Sequence, residues 1–299
     1  MGYKLISDIE VDNSNNYFDK YLSKKYGIMS QTMGNFIENY ESTNSELTQS
    51  QFDALMNFEE RLTELGVWGN VLEVVPLIGT NIDSMAVKYK GKNNSIMSPL
   101  GGISDTQVEP NKGLLISTQK ESNAYGFDLG LKYSDIITKQ GFGVSAFGRK
   151  HGADASYIDY IIGIKSGSKS ISSKITIAGA ALTNNFLESS NIVNQILNSQ
   201  EFRFHTITRL NNNTVILRQI YNNSTKVLDS SSAVVTTPLS SGGNLYLGCI
   251  NDLTTGNING YFGRLRMCVL NDGDIPLDSV NEYISICNDL YNDLGKNIY

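Results

Sequence analysis

The stretch from Asn244 to Leu294 reads NLYLGCI (244–250), NDLTTGNIN (251–259), GYFGRLRMCVL (260–270), NDGD (271–274) and IPLDSVNEYISICNDLYNDL (275–294). Leu245 and Leu247 alternate with Tyr246 and Gly248, the period of a strand with one buried face. Residues 261–270 alternate as well. Phe262, Arg264, Arg266 and Cys268 fall on one side, and Gly263, Leu265, Met267 and Val269 on the other. Asn-Asp-Gly-Asp is turn chemistry. Ser279 and Glu282 then stand three apart as in a capping box, and Val280, Tyr283, Ile284, Cys287 and Leu290 form one apolar stripe of a closing helix.

Working outward, a ladder of strands precedes this ending. The alternation predicts strands at 85–89, 112–117, 127–132, 142–148, 158–165, 175–180, 202–209, 215–221, 233–236, 245–250 and 261–270, with turn residues between them. Residues 186–197 carry helical spacing at Phe186, Leu187, Ile192, Val193 and Ile196 and are expected to cross between strands. A strand, then G-Y-F-G-R-L-R, a tight turn and L-D-S-V-N-E-Y resembles the end of the concanavalin A-like (laminin G-like) jelly rolls. The resemblance covers roughly Ile82 to Tyr299. It implies a mainly β chain, an antiparallel β-sandwich (jelly roll), here preceded by an α-helical amino-terminal segment.

That segment divides in two. Residues 1–47 hold seven aromatics (Tyr3, Tyr17, Phe18, Tyr21, Tyr26, Phe36 and Tyr40), too many for a disordered tail. So short a segment cannot bury them alone, so it packs over its own body as a decorating arm or anchors on another chain. Tyr17, Phe18, Tyr21, Phe36 and Tyr40 are the residues an assembly role would use. Residues 48–80 begin with the clearest helix. Thr48 and Gln51 form a capping box, Leu47 and Phe52 a hydrophobic staple, Gly66 the stop, and Phe52, Leu55, Met56, Phe58, Leu62 and Leu65 the apolar stripe. Trp68 is read as a core plug where helix meets sheet. Residues 81–299 complete the chain as the sandwich with its closing helix.

The string Phe58, Leu62, Leu65, Gly66, Trp68, Val75, Pro76, Gly79, Thr80 resembles a module that precedes laminin G-like sandwiches in virion proteins of tailed bacteriophages. Leu77 stands where that module has an aromatic, and VKYKGK replaces its N-L-K-D-P. The resemblance implies a structural component of a virion (fibre, decoration or tail-associated), made and assembled in the host cytoplasm. Its partners would be other virion proteins and further copies of itself in a homo-oligomer. The alternative is a lectin-like module that binds a host-surface glycan.

Composition narrows the classes. A net charge of −6 and a pI near 5.0 oppose nucleic-acid binding, which needs a basic stripe to neutralise phosphates. No run approaches the roughly 18 apolar residues of a membrane span, and the first residues have no apolar stretch of signal-peptide length. Cys249, Cys268 and Cys287 lack metal or disulfide spacing and are expected to be buried free thiols.

A search for chemistry finds little. Glycosidases of this fold place two carboxylates at alternating strand positions. The nearest string, Asp8-Ile9-Glu10-Val11-Asp12, lies outside the sandwich, and Asp128 and Asp159 are single acids, so no enzyme activity is expected. His205 lies within a strand. His151, Asp154 and Tyr157 share the loop GRKHGADASY and are the candidate binding residues. No metal site or other cofactor is predicted. Calcium is the metal such lectins use, and a single ion is the one allowance, at Asn251-Asp252 or Asn271–Asp274, although Asn-Asp-Gly is also an ordinary turn.

Overall fold

A computed structural model of the chain describes residues 29–116, 125–137, 141–150, 158–166, 169–176, 181–187, 189–194, 201–211, 214–221, 224–228, 242–260, 263–276 and 278–296. Two sheets, each of nine strands among the described residues, lie face to face. The first contains β1 (Val71–Val75), β2 (Lys90–Gly91), β4 (Val108–Glu109), β5 (Gly113–Ile116), β7 (Gly141–Lys150), β12 (Glu201–Asn211), β13 (Thr214–Tyr221), β14 (Ser224–Leu228) and β18 (Gly263–Asn271). Its order is β14-β13-β12-β7-β18-β1-β2, with β5 beside the start of β18 and β4 on β5. The second contains β3 (Ser98–Leu100), β6 (Gly126–Lys132), β8 (Ile158–Ser166), β9 (Lys169–Thr176), β10 (Ala181–Leu187), β11 (Ser189–Asn194), β15 (Asn244–Leu247), β16 (Cys249–Asp252) and β17 (Ile258–Gly260). Its order is β11-β10-β9-β8-β15-β6-β3. The fold is mainly β, a two-sheet antiparallel sandwich of the jelly-roll kind with helices before it, as the sequence implies.

Three helices, α1 (Gln31–Glu41), α2 (Gln49–Glu64) and α3 (Val280–Asp293), cover the first sheet. That sheet therefore has two apolar faces. Leu265, Cys268 and Leu270 of β18 join Phe127, Leu129, Ile162 and Ile164 in the core between the sheets. Met267 and Val269 join Phe36, Leu55, Phe58, Leu62, Tyr283 and Cys287 in a second core under the helices. Full burial of each such side chain contributes about 1.5–3 kcal/mol as an upper bound. Thr48 makes the expected reciprocal cap with Gln51. All three cysteines are free and buried.

Several expectations need correction. Val71–Val75, assigned to the helical module, is a strand between β18 and β2, so the sandwich begins before residue 81. All five of its residues are buried, and a strand buried on both sides shows no alternation. Residues 85–89 are not a strand. Asn81 caps a short helical turn over Ile82–Met85, and only Val87 bridges to Ile96. The helical spacing in 186–197 is overridden by β10 and β11, which pair as a hairpin from Ala181↔Asn194 to Phe186↔Ser189. Ser279 makes no side-chain cap because its φ/ψ is helical, not the extended one a capping residue adopts, and its N–H bonds to the Pro276 carbonyl. The predicted strand at 233–236 lies outside the described residues.

The buried charge of β1 has a partner. Glu73 and Lys88 are fully shielded, with Lys88 Nζ 2.7 Å from Glu73 Oε2. Lys88 also donates to the Leu129 carbonyl on β6 (2.8 Å) and to Asn94 Oδ1, and the Lys92 N–H donates to Glu73 Oε1 (3.1 Å). The pair thus ties β1 of one sheet to β6 of the other. Burial is the larger influence on both, pushing the Glu73 carboxyl up to about 7 and Lys88 down, each opposed by the other's charge. Lys88→Met should cost about 3–5 kcal/mol in urea denaturation, because it leaves a buried carboxylate without its cation. The deficit should grow as pH rises above about 7, where wild-type Glu73 ionises beside Lys88 while the variant still folds only with Glu73 protonated. Lys88→Met with Glu73→Gln should recover much of the loss, and an unaltered single variant would contradict this account.

His205, on β12, lies under α3 with Nδ1 2.9 Å from Ser145 Oγ and its ring edge-on to Phe147. Burial pulls its pKa down to about 3; the nearby Asn288 side chain, an acceptor for the charged ring, opposes the shift and Arg203 adds to it. The folded state holds it neutral while the unfolded chain protonates it below about 6.5, so its contribution is intact above that pH and lost towards pH 3. Glu73 has the opposite sign from about 4.5 to 7, so the test compares variants. Between pH 7 and 5, wild type should lose about 2 kcal/mol more than His205→Gln. Parallel pH profiles would rule the histidine out.

Candidate functional site

Among the described residues, the outer face of the second sheet is the sheet face that no further layer covers whole, although Ser170 and Ser172 on it are buried. Pairing registers carry one row across seven strands, through Ser98, Asp128, Tyr246, Gly163, Ser172, Asn185 and Ser190. Every position in the row is polar or glycine. Their neighbours Phe127, Leu247, Ile162, Ile164 and Ile171 point the other way, into the inter-sheet core. This is the period-two division expected of a sheet with one wet face.

A bulge sharpens the face. The register of β8 on β9 shifts between Tyr160 and Ile162, so that Ile161 is the extra residue and is buried in the core. Without it Tyr160 would share the inward side of Ile162 and Ile164. With it Tyr160 pairs with Lys174, on the side of Gly163 and Ser172. Lys174 Nζ sits 5.8 Å from the centroid of the Tyr160 ring. Nearby, Lys165 Nζ is 3.1 Å from Asp252 Oδ2. Burial raises the Tyr160 phenol, with Lys165 opposing and Asp252 adding, so the hydroxyl keeps its proton. Burial works against the Asp252 carboxylate, but Lys165 and the bonds from Thr255 and Thr254 outweigh it and hold its pKa below the ordinary value.

Asp252 arrives on a second device. Gly248, at φ +79°, turns the chain back after β15, and β16 then runs parallel to the end of β8, with Asn251 opposite Ile164 and Asp252 opposite Lys165. Ile250 packs on Gly163, where a Cβ would stand 2.9 Å from Ser172 Cβ and 3.0 Å from Ile250 Cγ1. The β16–β17 hairpin therefore roofs the middle of the face. Tyr160, Lys165, Lys174 and Asp252 form a cluster beside it, in which Tyr160 and Asp252 are buried (9% and 3% exposed) and the two lysines half-buried.

The residues singled out from sequence fare differently. His151, Asp154 and Tyr157 lie outside the described residues, as do Tyr17, Phe18 and Tyr21. Phe36 and Tyr40 are buried under the helices, stacked on each other at 5.4 Å, with Phe36 edge-on to Tyr89. They are spent inside the chain's own core, as a decorating arm requires, and are not available to another chain. Trp68 is half-buried, edge-on to Phe58 and topped by Lys90 Nζ at 3.9 Å, so it rims the helix–sheet core instead of plugging it.

Asp128 belongs to the face but is occupied. Its Oδ1 accepts from the Gly130 N–H (2.8 Å) and its Oδ2 from Asn244 Nδ2 (3.0 Å). Asp159 stands opposite Ile175, four residues along β8 from the level of Asp128 and two strands away. Their backbone positions are roughly 15 Å apart by strand geometry, against about 5–9.5 Å between the carboxyl groups of a glycosidase pair. In the turn 271–274, Asn271 Oδ1 and Asp272 Oδ1 accept from the N–H groups of Gly273 and Asp274. Asp252 Oδ1 accepts from those of Thr254 and Thr255. Among the described residues no three His, Cys, Asp or Glu side chains gather as a metal site, and no helix is long and apolar enough to cross a membrane.

No family model and no curated protein matches the chain. Solved structures do. The CBM40 of the Ruminococcus gnavus IT-sialidase, bound to α2,3-sialyllactose, is 16% identical over 58% of this chain and 95% of its own, with a TM-score of 0.42. A mutant Trypanosoma rangeli sialidase displaying trans-sialidase activity is 8% identical over 81% of this chain and 38% of its own, at 0.48. A botulinum neurotoxin type C structure, from work on cell entry through two ganglioside molecules, is 12% identical over 76% and 53%, also at 0.48. Likenesses of this size bear on neither ligand nor activity.

Proposed function

We propose that the chain is a glycan-binding β-sandwich module that does not cleave its ligand, and that it binds on the outer face of the second sheet. The observation that carries this reading is the bulge at Ile161, which turns Tyr160 onto an otherwise polar face. A sugar ring presents a C–H face and a rim of hydroxyls. The edge of the largely buried Tyr160 ring, beside the half-buried Lys165 and Lys174, answers both, with few polar groups setting the orientation. The absence of catalysis is supported by Asp128, whose two oxygens serve Gly130 and Asn244, and by its distance from Asp159.

On a glycan microarray the intact chain should bind a subset of oligosaccharides, and Tyr160→Ala should weaken that binding at least tenfold while leaving the unfolding midpoint within a few degrees. Full binding by a folded Tyr160→Ala protein would move the site elsewhere, and no binding of any glycan by wild type would overturn the reading.

The place of this module in a bacteriophage virion is a proposal as well. It is supported by the Phe58–Thr80 string, with the sandwich exposed for contact with the host surface and residues 1–28 left for assembly with other virion proteins. Antibodies against the chain should decorate purified particles of a phage that encodes it; unlabelled particles, with free protein in the lysate, would refute that placement.

A further inference from the structure

The cluster beside the roofing hairpin has a charge that the rest of the chain does not prepare for. The protein carries a net −6, yet Lys165 on β8 and Lys174 on the adjacent β9 fall on one face of the sheet, near enough for the Lys165 charge to act on Lys174. Lys165 has Asp252 as its partner at 3.1 Å. Among the described residues, Lys174 has no carboxylate against it; its ammonium faces the Tyr160 ring at 5.8 Å. Burial first, and then the Lys165 charge, pulls the Lys174 ammonium below the ordinary lysine range. Holding two half-buried like charges together is unfavourable, and an anion between them relieves the repulsion and restores lost solvation.

Resting on the glycan-binding reading above, we infer that this face selects a glycan bearing a single carboxylate, with the half-buried Lys174 as the group that reads the charge and the exposed edge of the largely buried Tyr160 beside it. The count of charges sets the class. Lys165, Lys174 and Asp252 sum to +1, which one carboxylate neutralises. A phosphate dianion or a densely sulfated chain would overfill the cluster and meet the acidic surface of the whole molecule. The Tyr160 hydroxyl, which keeps its proton, is a donor of the kind a carboxylate accepts. Asp252 cannot be neutralised to raise the positive count at working pH, because Lys165 and the Thr254 and Thr255 bonds favour its ionised form.

The test measures calorimetric affinity of the intact chain for matched pairs. 3′-Sialyllactose is compared with lactose, and a uronic-acid oligosaccharide with its carboxyl-reduced form, alongside a multiply sulfated version of the same neutral sugar. Wild type is expected to prefer at least one acidic member about tenfold or more, with the preference shrinking from 50 to 500 mM salt. Lys174→Gln should abolish the preference while keeping binding to the neutral sugar, Lys174→Arg should retain it, and Tyr160→Ala should lower binding to both members. Equal affinity for acidic and neutral members, or a preference for the sulfated one, overturns this inference and leaves the glycan-binding reading standing. Absence of binding to every sugar overturns both. A Lys174→Gln protein that keeps the acidic preference removes Lys174 from the role, and circular dichroism with the unfolding midpoint separates that result from a folding defect.

Discussion

Burial of the first sheet on both faces is the constraint from which the rest of the structure follows. A sheet covered on one side by a second sheet and on the other by helices needs strands that are apolar in both directions. β18 meets this demand, sending Leu265, Cys268 and Leu270 one way and Met267 and Val269 the other. The helices are then obligatory. Without α1, α2 and α3 the residues Val71, Val74, Met267 and Val269 would face water, so the amino-terminal segment is part of the fold and not an appendage. The same constraint leaves no solvent for polar groups that fall inside. Arg266 accordingly donates to the Tyr291 hydroxyl and to the Lys296 carbonyl, and Lys296 to the Leu77 carbonyl, while Asn271 donates to the Tyr283 hydroxyl. Unmade bonds at such depth would each cost about 1–3 kcal/mol.

The second sheet is freed by that arrangement. Its inner face completes the inter-sheet core, and its outer face carries no further layer beyond the β16–β17 hairpin packed on Gly163. Two local departures from regular pairing adapt it. The bulge at Ile161 turns Tyr160 to the outer side, where it stays largely buried, and the reversal at Gly248 brings Asp252 to Lys165. Both act on the backbone first, and the chemistry of the face follows from where the backbone puts each Cα. Asp128 illustrates the opposite case: a carboxylate on the same face whose acceptor capacity is used to hold Gly130 and Asn244, and which is therefore part of the scaffold.

Much was legible in the chain itself. The Thr48–Gln51 cap, the stripe from Phe52 to Leu62, the alternation in 127–132, 142–148 and 245–247, and the turn at Asn271–Asp274 are all local signals, decided by residues within about four positions of one another. They fix element type and imply a sandwich with helices before it. The candidate site was far less legible. Tyr160 and Lys174 lie in strands foreseen only in part, since β9 begins at Lys169 and not near 175, and no spacing along the chain links them.

What the tertiary structure alone decided is pairing. VLEVV is too short and too evenly buried to announce a strand, and it becomes one because β18 offers a free edge beside it. Glu73 looks like a solvated acid until Lys88, fifteen positions on, is brought to 2.7 Å. Tyr160 has the period of an inward residue, and one extra residue opposite β9 reverses it. A one-residue change of register exchanges the two faces of a strand without altering a single local preference. Propensity and capping therefore settle what each segment is, while the faces, and with them the site, depend on which distant strand each segment meets.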